Sequence, residues 1–361
     1  MITTGSLEEK VLSGKRLTPE EGLHLLSKTE LTVLGFLANQ VRFRFNPRPE
    51  VTYVMDTNPN YTNICQIRCS FCAFYRLPEA PDAYTLTVEE VVKKARQAAE
   101  AGATTMLLQG GVNPDLPLEY YVELVRRLRK AVPEVLPHFF SPPEILGIAE
   151  RSGLSIREVL QRLKEAGQVT LPGGGAEILS DSVRTQLSPA KGPSSKWLEV
   201  MREAHHLGLK TTATMMYGHL EKDRDIIEHL EQIRSLQDET GGFTAFIPWS
   251  FKPANTALAR EGFHPHNGPV RYLRLIAFSR IFLDNFPHLQ ASWFSEGKPT
   301  GQVALHFGAD DFGGTLLEEN VHKSAGFVNI SHQAEVEELI RQSGFTPVQR
   351  TTLYTPVSSR R

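Results

Sequence analysis

The chain has little cysteine: 3 residues among 361, all between positions 65 and 72. An odd number of thiols, so close together, does not suit the disulfide framework of a small secreted protein. The N-terminal stretch MITTGSLEEKVLSGKRLTPEEGL also lacks the apolar core of a signal peptide. We therefore expect a cytoplasmic protein whose thiols stay reduced.

Two further absences narrow the class of protein. No apolar run approaches the roughly 20 residues that cross a bilayer, so we expect no membrane contact. The formal net charge is −2, whereas a nucleic-acid binder needs a basic surplus. With 22% charged and 40% hydrophobic residues, the composition is that of an ordinary globular protein. Its length suits one large α/β barrel with terminal additions, or two domains.

Short apolar runs alternate with amphipathic helices from residue 51 onward. Helix start signals lie between the runs, such as the capping box of Thr87 with Glu90. A second box pairs Ser155 with Glu158, and Gly167 ends that helix. We interpret eight runs as strands: VTYVM (51–55), TTMLLQ (104–109), PHFFS (137–141), QVTLP (168–172), TTATMMY (211–217), FTAFIPW (243–249), LQASWF (289–294) and QVALHF (302–307).

This alternation implies parallel strands joined by right-handed crossovers, and eight units predict closure into a (βα)8 barrel of the TIM type. An open doubly wound sheet is the alternative. We predict three parts: an N-terminal helical extension (1–50), the barrel (51–330), and a C-terminal helix with an extended tail (331–361). In the first part, Thr18 is the predicted N-cap of a helix that begins at Pro19.

The three cysteines follow the first predicted strand with the spacing C-x3-C-x2-C, at Cys65, Cys69 and Cys72. In a parallel barrel this loop lies on the C-terminal face, where active sites sit. The thiols could line a helical face in the core, but that leaves their exclusive clustering to chance. They could bind structural zinc, which then needs a remote fourth ligand. They could also hold three irons of a [4Fe–4S] cluster and leave the fourth iron open.

The spacing, with the aromatic Phe71 before the last cysteine, resembles the signature of the radical S-adenosylmethionine enzymes. In that family the open iron is chelated by the amino and carboxylate groups of S-adenosylmethionine. Reductive cleavage of the sulfonium gives a 5′-deoxyadenosyl radical, which removes a hydrogen atom from the substrate. The resemblance therefore implies a [4Fe–4S] cluster, S-adenosylmethionine, a small-molecule substrate, and an electron donor such as flavodoxin or ferredoxin.

The resemblance extends over roughly residues 50–330 and to one branch of the family, that of menaquinone and deazaflavin biosynthesis. The segments that carry it are QGGVNPDLPLEYY, FSPPEI, LPGGGAEILSDSVR, MMYGH, FIPWSFKPANTAL and GADDFGGTLLEENV. GGVNPDLP and PWSFKPANT are most similar to cyclic dehypoxanthinyl futalosine synthases, while EENV argues against aminofutalosine synthase. Aminofutalosine synthase and the halves of deazaflavin (FO) synthase remain the alternatives in this branch. The implied reaction is hydrogen abstraction at ribose C4′, carbon–carbon ring closure onto a carboxyphenyl ring, and loss of one electron and one proton.

Cofactor contacts are implied at several positions besides Phe71. Gly110 and Gly111 read simply as a turn after the second strand, but in the family the matching glycines meet the cofactor's methionine amine. Ser141 ends the third strand and is expected to reach the cofactor. The loop after the fourth strand could be flexible, with solvated charges. The resemblance instead places Glu177 at the cofactor hydroxyls or amine and Arg184 at its carboxylate, where a guanidinium fork fits.

The proton lost at the end of the reaction needs an acceptor. His219 follows the fifth strand in MMYGH and is our candidate catalytic base, with a structural histidine as the alternative. Asp310 is the rival candidate, together with its neighbour in an Asp-rich turn. The aromatic residues Tyr53, Tyr75 and Trp249 suit ligand packing or barrel filling equally. The candidate cations for the substrate carboxylate are Arg76, Lys252 and Lys298. A metal-bearing barrel that only binds ligands is the alternative from another class.

Overall fold

The computed structural model describes residues 4–357. Within that range no helix combines the length and apolar character needed to cross a bilayer. The helices are α1 (Thr4–Leu12), α2 (Pro19–Lys28), α3 (Leu31–Phe45), α4 (Val88–Glu100), α5 (Leu118–Ala131), α6 (Pro142–Ser152), α7 (Ile156–Ala166), α8 (Asp181–Leu187), α9 (Ser194–His206), α10 (Asp223–Thr240), α11 (Ala257–Arg260), α12 (Pro269–Phe282), α13 (Trp293–Glu296), α14 (Lys298–Ala304), α15 (Val321–Ser324) and α16 (Gln333–Gln342), with a 3-10 turn at Pro189–Lys191. The strands are β1 (Glu50–Val54), β2 (Asp56–Thr57), β3 (Thr105–Leu108), β4 (Leu136–Phe139), β5 (Thr170–Leu171), β6 (Lys210–Tyr217), β7 (Phe243–Ser250), β8 (His288–Leu289), β9 (Asp311–Gly314) and β10 (Thr346–Arg350).

The predicted helix starts are present. Thr18 caps α2, and its reciprocal hydrogen bonds with Glu21 complete a capping box. The boxes predicted at Thr87 and Ser155 start α4 and α7. Gly167 ends α7 with φ +113°, a left-handed conformation that suits glycine. The first helices, α2 and α3, pack against α10 and α12 on the outside of the barrel.

All strands pair in parallel, which confirms the predicted α/β barrel class. β2 to β8 form one seven-stranded sheet in sequential order, and β10, β1 and β9 form a three-stranded sheet. A single residue separates β1 from β2, so the two together form the first strand of the barrel wall. At the other side, a parallel bridge joins Gln290, after β8, to Asp311 in β9. The two sheets therefore curl into one wall around a common interior.

Seven of the eight predicted strands overlap observed ones, but the eighth is wrong. QVALHF (302–307) lies in the end of α14 and the turns that follow it, and the last barrel strand is β9. A short apolar run cannot distinguish a strand from a buried helix turn. Here Pro299 lies in the first turn of the helix, and Ala304 at its end is fully buried. The strand that occupies the predicted eighth position of the barrel, β9, begins only at Asp311.

The predicted extended tail is a barrel element. β10 pairs with β1 from Glu50 opposite Thr346 to Val54 opposite Arg350. The chain then turns into the barrel, where the Tyr354 ring stacks on His288 with centroids 3.8 Å apart. This C-terminal segment therefore closes the end of the barrel opposite the cysteine loop.

Candidate active site

A cavity of about 390 Å³ lies inside the barrel, within the usual range of about 300–1,000 Å³ for small-molecule sites. The three cysteines line one side of it, and the end of β7 and the segments after β8 and β9 line another. Five predicted cofactor residues also line it: Phe71, Gly110, Gly111, Ser141 and Glu177. The other three predicted site residues, Arg184, His219 and Asp310, do not.

The cysteine loop is held by its backbone while its three thiols remain free. The Cys72 amide donates to the Cys69 carbonyl at 3.1 Å. The Cys65 sulfur accepts from the Val112 amide at 3.3 Å, and the Cys69 sulfur lies 3.1 Å from the Ser188 hydroxyl. Thiolates that accept such hydrogen bonds are stabilised as ligands.

The donor set fits an iron–sulfur cluster better than a single ion. Within residues 4–357, no group of three or more His, Cys, Asp or Glu side chains is arranged to hold one metal ion. A closed zinc site needs such a group, whereas a [4Fe–4S] cluster takes each thiolate on a separate iron. Burial raises the pKa of Cys72 to about 12 and also raises that of Cys69. Cluster binding must therefore displace protons from Cys69 and Cys72.

Gly110 and Gly111 bring the loop after β3 against the cysteine loop. A Cβ on Gly111 would lie 2.1 Å from the Ile64 carbonyl oxygen and 2.8 Å from Cys65 Cβ. A Cβ on Gly110 would lie 2.6 Å from the Tyr61 ring. Neither glycine has a positive φ, so close approach, not a left-handed turn, is what requires glycine here. The contact with the cofactor amine stays a prediction.

Ser141 belongs to a buried network around Glu144, a residue that the sequence did not single out. The Ser141 hydroxyl donates to Glu144 at 2.5 Å, the Tyr61 hydroxyl at 2.8 Å and the Gly110 amide at 3.0 Å. Burial raises the pKa of Glu144 to about 7, against the opposing effect of these donors. The hydroxyl of Ser141, the N-cap residue of α6, is thus engaged by Glu144, and Glu144 also fixes the position of Gly110.

Glu177 lies beside the thiols in a strained backbone conformation, with φ +46°. Its carboxylate forms an ion pair with Lys191. The Lys191 ammonium also lies 5.0 Å from the centroid of the Phe71 ring. Burial lowers the pKa of Lys191, but the negative charges of the Cys69 thiolate and the Glu177 carboxylate outweigh that effect and raise it overall. A charged lysine therefore faces the cavity beside the cysteines.

The prediction that Arg184 meets the cofactor carboxylate is not supported. The guanidinium is buried and donates to three backbone carbonyls, those of Ala176 (2.7 Å), Gly192 (2.9 Å) and Gly175 (3.1 Å). These bonds fold the glycine-rich loop after β5 against α8. The cation beside the cysteines in the cavity wall is Lys191. Sequence reasoning missed it because the residue lies in a short turn outside the motif LPGGGAEILSDSVR.

His219 is a structural residue, as the alternative interpretation had it. It does follow the C-terminal end of β6, but its ring turns back into the protein. Its Nε2 donates to the Met216 carbonyl at 2.9 Å, and its Nδ1 accepts from the Leu220 amide at 2.8 Å. Burial lowers its pKa. With both nitrogens in use, His219 has no path to a substrate in the cavity.

The predicted position of Asp310 is also wrong, because the residue precedes the last barrel strand, β9, instead of following it. Its carboxylate is buried in an ion pair with Arg280 and lies 2.6 Å from His288 Nδ1. The Asn46 amide adds a third donor at 3.0 Å. Burial raises its pKa, but Arg280 and His288 outweigh burial and lower it. Such a carboxylate is a weak base at the wrong end of the barrel.

Opposite the cysteines, aromatic rings form a wall. The His322 ring stacks on Phe294 with centroids 5.1 Å apart, and Trp249 lies at 5.8 Å. Tyr75 lines the cavity as well, whereas Tyr53 lies outside it and donates to a glutamate of α16. Burial lowers the pKa of His322 to about 4, so its ring is neutral. A flat aromatic group can stack on the exposed side of such a wall.

None of the three predicted substrate cations lines the cavity. Arg76 pairs with Asp82 and Lys298 with Glu335, each at 2.7 Å. Lys252 donates to a serine hydroxyl and a backbone carbonyl, and burial lowers its pKa. The role predicted for these three cations stays a prediction that the cavity lining does not support.

A parallel barrel with three free thiols beside a cation and a close glycine pair is the architecture of a radical S-adenosylmethionine enzyme. The model of the radical SAM superfamily matches residues 59–233, and that of the CofH/MqnC C-terminal region matches residues 240–360. The chain belongs to the radical SAM superfamily. Enzymes of this superfamily use a [4Fe–4S] cluster and S-adenosylmethionine, and the residues described above fit both.

The cyclic dehypoxanthine futalosine synthase of Halalkalibacterium halodurans is 41% identical, over 96% of this chain and 93% of its own. A 5-amino-6-(D-ribitylamino)uracil–L-tyrosine 4-hydroxyphenyl transferase of Methanopyrus kandleri is 44% identical, over 99% and 95%. The crystal structure of methylornithine synthase matches with a TM-score of 0.73 at 20% identity, over 94% and 97%. That likeness concerns the fold alone. The names of the two curated relatives describe different reactions.

Proposed function

We propose that the chain is the cyclase of the futalosine route to menaquinone, which converts dehypoxanthine futalosine to its cyclic form. One observation carries the proposal: the segments that resemble the cyclases supply the cavity wall. GGVNPDLP contributes Gly110, Gly111 and Val112, and PWSFKPANT contributes Trp249. The relationship to the Halalkalibacterium enzyme over nearly the full length of both chains supports it further.

The two halves of the cavity suit the two halves of this reaction. When bound, the cofactors supply a 5′-deoxyadenosyl radical that takes the hydrogen atom from ribose C4′. Cys65, Cys69 and Cys72 would hold the cluster, and Lys191 would face the methionine carboxylate. The rings of Trp249 and its neighbours would stack on the carboxyphenyl group and hold its edge against C4′, where the new carbon–carbon bond forms. Enclosure in the barrel keeps water and other hydrogen donors away from the radical.

Deuterium at C4′ of dehypoxanthine futalosine tests the proposal. We expect reduced, anaerobic enzyme to form 5′-deoxyadenosine that carries the deuterium, together with a product that has lost two hydrogens. Mass spectrometry measures both. If deuterium never reaches 5′-deoxyadenosine from this substrate, the cyclase assignment fails.

The second candidate is the deazaflavin-type coupling, favoured by the 44% identity to the Methanopyrus transferase. The same enzyme preparation, given L-tyrosine and 5-amino-6-(D-ribitylamino)uracil, would then form the coupled product and release 5′-deoxyadenosine. Side-by-side assays with the two substrate sets separate the activities.

A further inference from the structure

The carboxylates of the cavity wall are mostly committed to other groups. Glu177 is held in its ion pair with lysine. Glu144 accepts hydrogen bonds from a serine, a tyrosine and a glycine amide. Asp56 accepts from the Leu316 amide at 2.8 Å, and Gly314 packs so closely on it that a Cβ would lie 2.2 Å from its Oδ2. Among the described wall residues, only one further carboxylate remains, that of Glu319.

Glu319 is fixed in place by backbone bonds alone. The segment after β9 continues along β2, and a parallel bridge joins Glu319 to Asn58. One carboxylate oxygen accepts from the Val321 amide and the other from the His322 amide, each at 2.8 Å. The Lys323 amide also acts on this carboxylate. The two oxygens together have about four lone-pair directions, so three backbone donors leave one for another partner. The side chain is therefore oriented and still able to accept a proton.

The carboxylate lies next to the aromatic wall. Its neighbour His322 stacks on Phe294 and also lines the cavity. The Nδ1 atom of His322 is buried and has no hydrogen-bond partner in the described part of the chain. A buried polar atom without a partner is costly, and a bound ligand can satisfy it. A substrate ring that stacks on this wall would thus lie near both the Nδ1 atom of His322 and the carboxylate of Glu319.

We propose that Glu319 is the catalytic base that takes the proton from the aryl ring after ring closure, an inference that rests on the proposed function. The C–H bond at the attacked ring carbon breaks, and its proton goes to the Glu319 carboxylate. The electron pair of that bond stays in the ring. One electron then leaves to a one-electron carrier of the flavodoxin or ferredoxin class, and the ring becomes aromatic again.

The electrostatics of the site suit this role. Burial raises the pKa of Glu319 to about 7 against the effect of its backbone donors, and a base works best with a pKa near the working pH. The titratable groups around it are His322 on the same segment and Lys252 after β7, which acts on His322. The adjacent Glu318 is paired with Lys94 and is part-exposed.

The test compares E319Q with E318Q, a matched control one residue away. With C4′-deuterated substrate, we expect E319Q to bind iron and substrate like the wild type and to transfer deuterium to 5′-deoxyadenosine. Its yield of cyclised product per deoxyadenosine should fall by about 100-fold or more. E318Q should keep the wild-type ratio, and E319D, which retains a carboxylate, should recover part of it. Equilibrium dialysis measures substrate binding independently of turnover.

A second measurement needs no turnover. Burial raises the pKa of both Glu144 and Glu319 to about 7, so infrared difference spectra should contain protonated-carboxyl bands that titrate near pH 7. The Glu319 component should be lost in E319Q and persist in E318Q, while the Glu144 component remains in both variants. In turnover, the wild-type product ratio should fall as the pH drops below 7, because the protonated acid cannot accept a proton. The proposal is overturned if E319Q keeps product and deoxyadenosine in step while the wild type cyclises. Failure of the wild type to transfer deuterium would instead refute the proposed function.

Discussion

Lys191 and Arg184 are two buried cations with different partners, and that difference makes distinct predictions. Lys191 lines the cavity beside Phe71, while Arg184 donates only to backbone carbonyls. We expect K191M to weaken S-adenosylmethionine binding by about 10- to 100-fold, since a charge-assisted contact contributes about 1.5–3 kcal/mol. Isothermal titration of the cluster-loaded protein measures this. Unchanged affinity in K191M, with a large loss in R184K, would restore the arginine as the cofactor ligand.

If one of the three cysteines is lost, no other cysteine of the chain can replace it as a cluster ligand, because the chain has no fourth. We expect C65A, C69A and C72A each to lose most of the iron and all turnover, since a cluster held by two thiolates has two open corners. Iron and sulfide analysis of anaerobically reconstituted protein checks the result. A single variant that keeps full iron content and activity would contradict the cluster assignment.

The contact between the cysteine loop and the loop after β3 depends on the absence of one methyl group. In G111A the Cβ would collide with the backbone carbonyl of Ile64, which cannot move without moving Cys65. We expect G111A to bind less iron and to retain little activity. G5A is the control, because nothing lies within 4 Å of its Cβ in α1, and it should gain up to about 1 kcal/mol of helix stability. Equal iron content in the two variants would show that the loop contact is not needed.

Helix starts depend on neighbouring residues and could be predicted from the sequence. The last barrel strand depends on contacts with distant residues and could not. Capping boxes lie within four residues, so the starts of α2, α4 and α7 were readable. The last strand is short and glycine-rich, Asp311–Gly314, whereas the apolar run before it packs as a helix. Placing the strand too early put Asp310 at the wrong end of the barrel. It also hid Glu319, which lay in a quoted motif but beyond the assumed site.

At the scale of the whole molecule, the first and last strands of the chain, β1 and β10, pair with each other. No local sequence pattern predicts this pairing. β10 lies beside β1 although roughly 300 residues separate them. Arg350, at the end of β10, forms a buried ion pair with Asp311 of β9, with one N–O distance of 2.9 Å. Three strands distant in the chain are thus tied together, and Arg350 also lines the cavity.

This closure predicts a large difference between two ion pairs of the same type. R350M would leave Asp311 buried and uncompensated, which costs about 3–5 kcal/mol. R341M breaks a part-exposed pair with Glu337 on α16 and should cost less than about 1 kcal/mol. Urea unfolding measures both. The R350M/D311N double variant should regain part of the loss, because no unpaired charge remains in the interior. If R350M and R341M are equally stable, the ion pair does not hold the strands together, and the pairing of β10 with β1 would have to close the barrel alone.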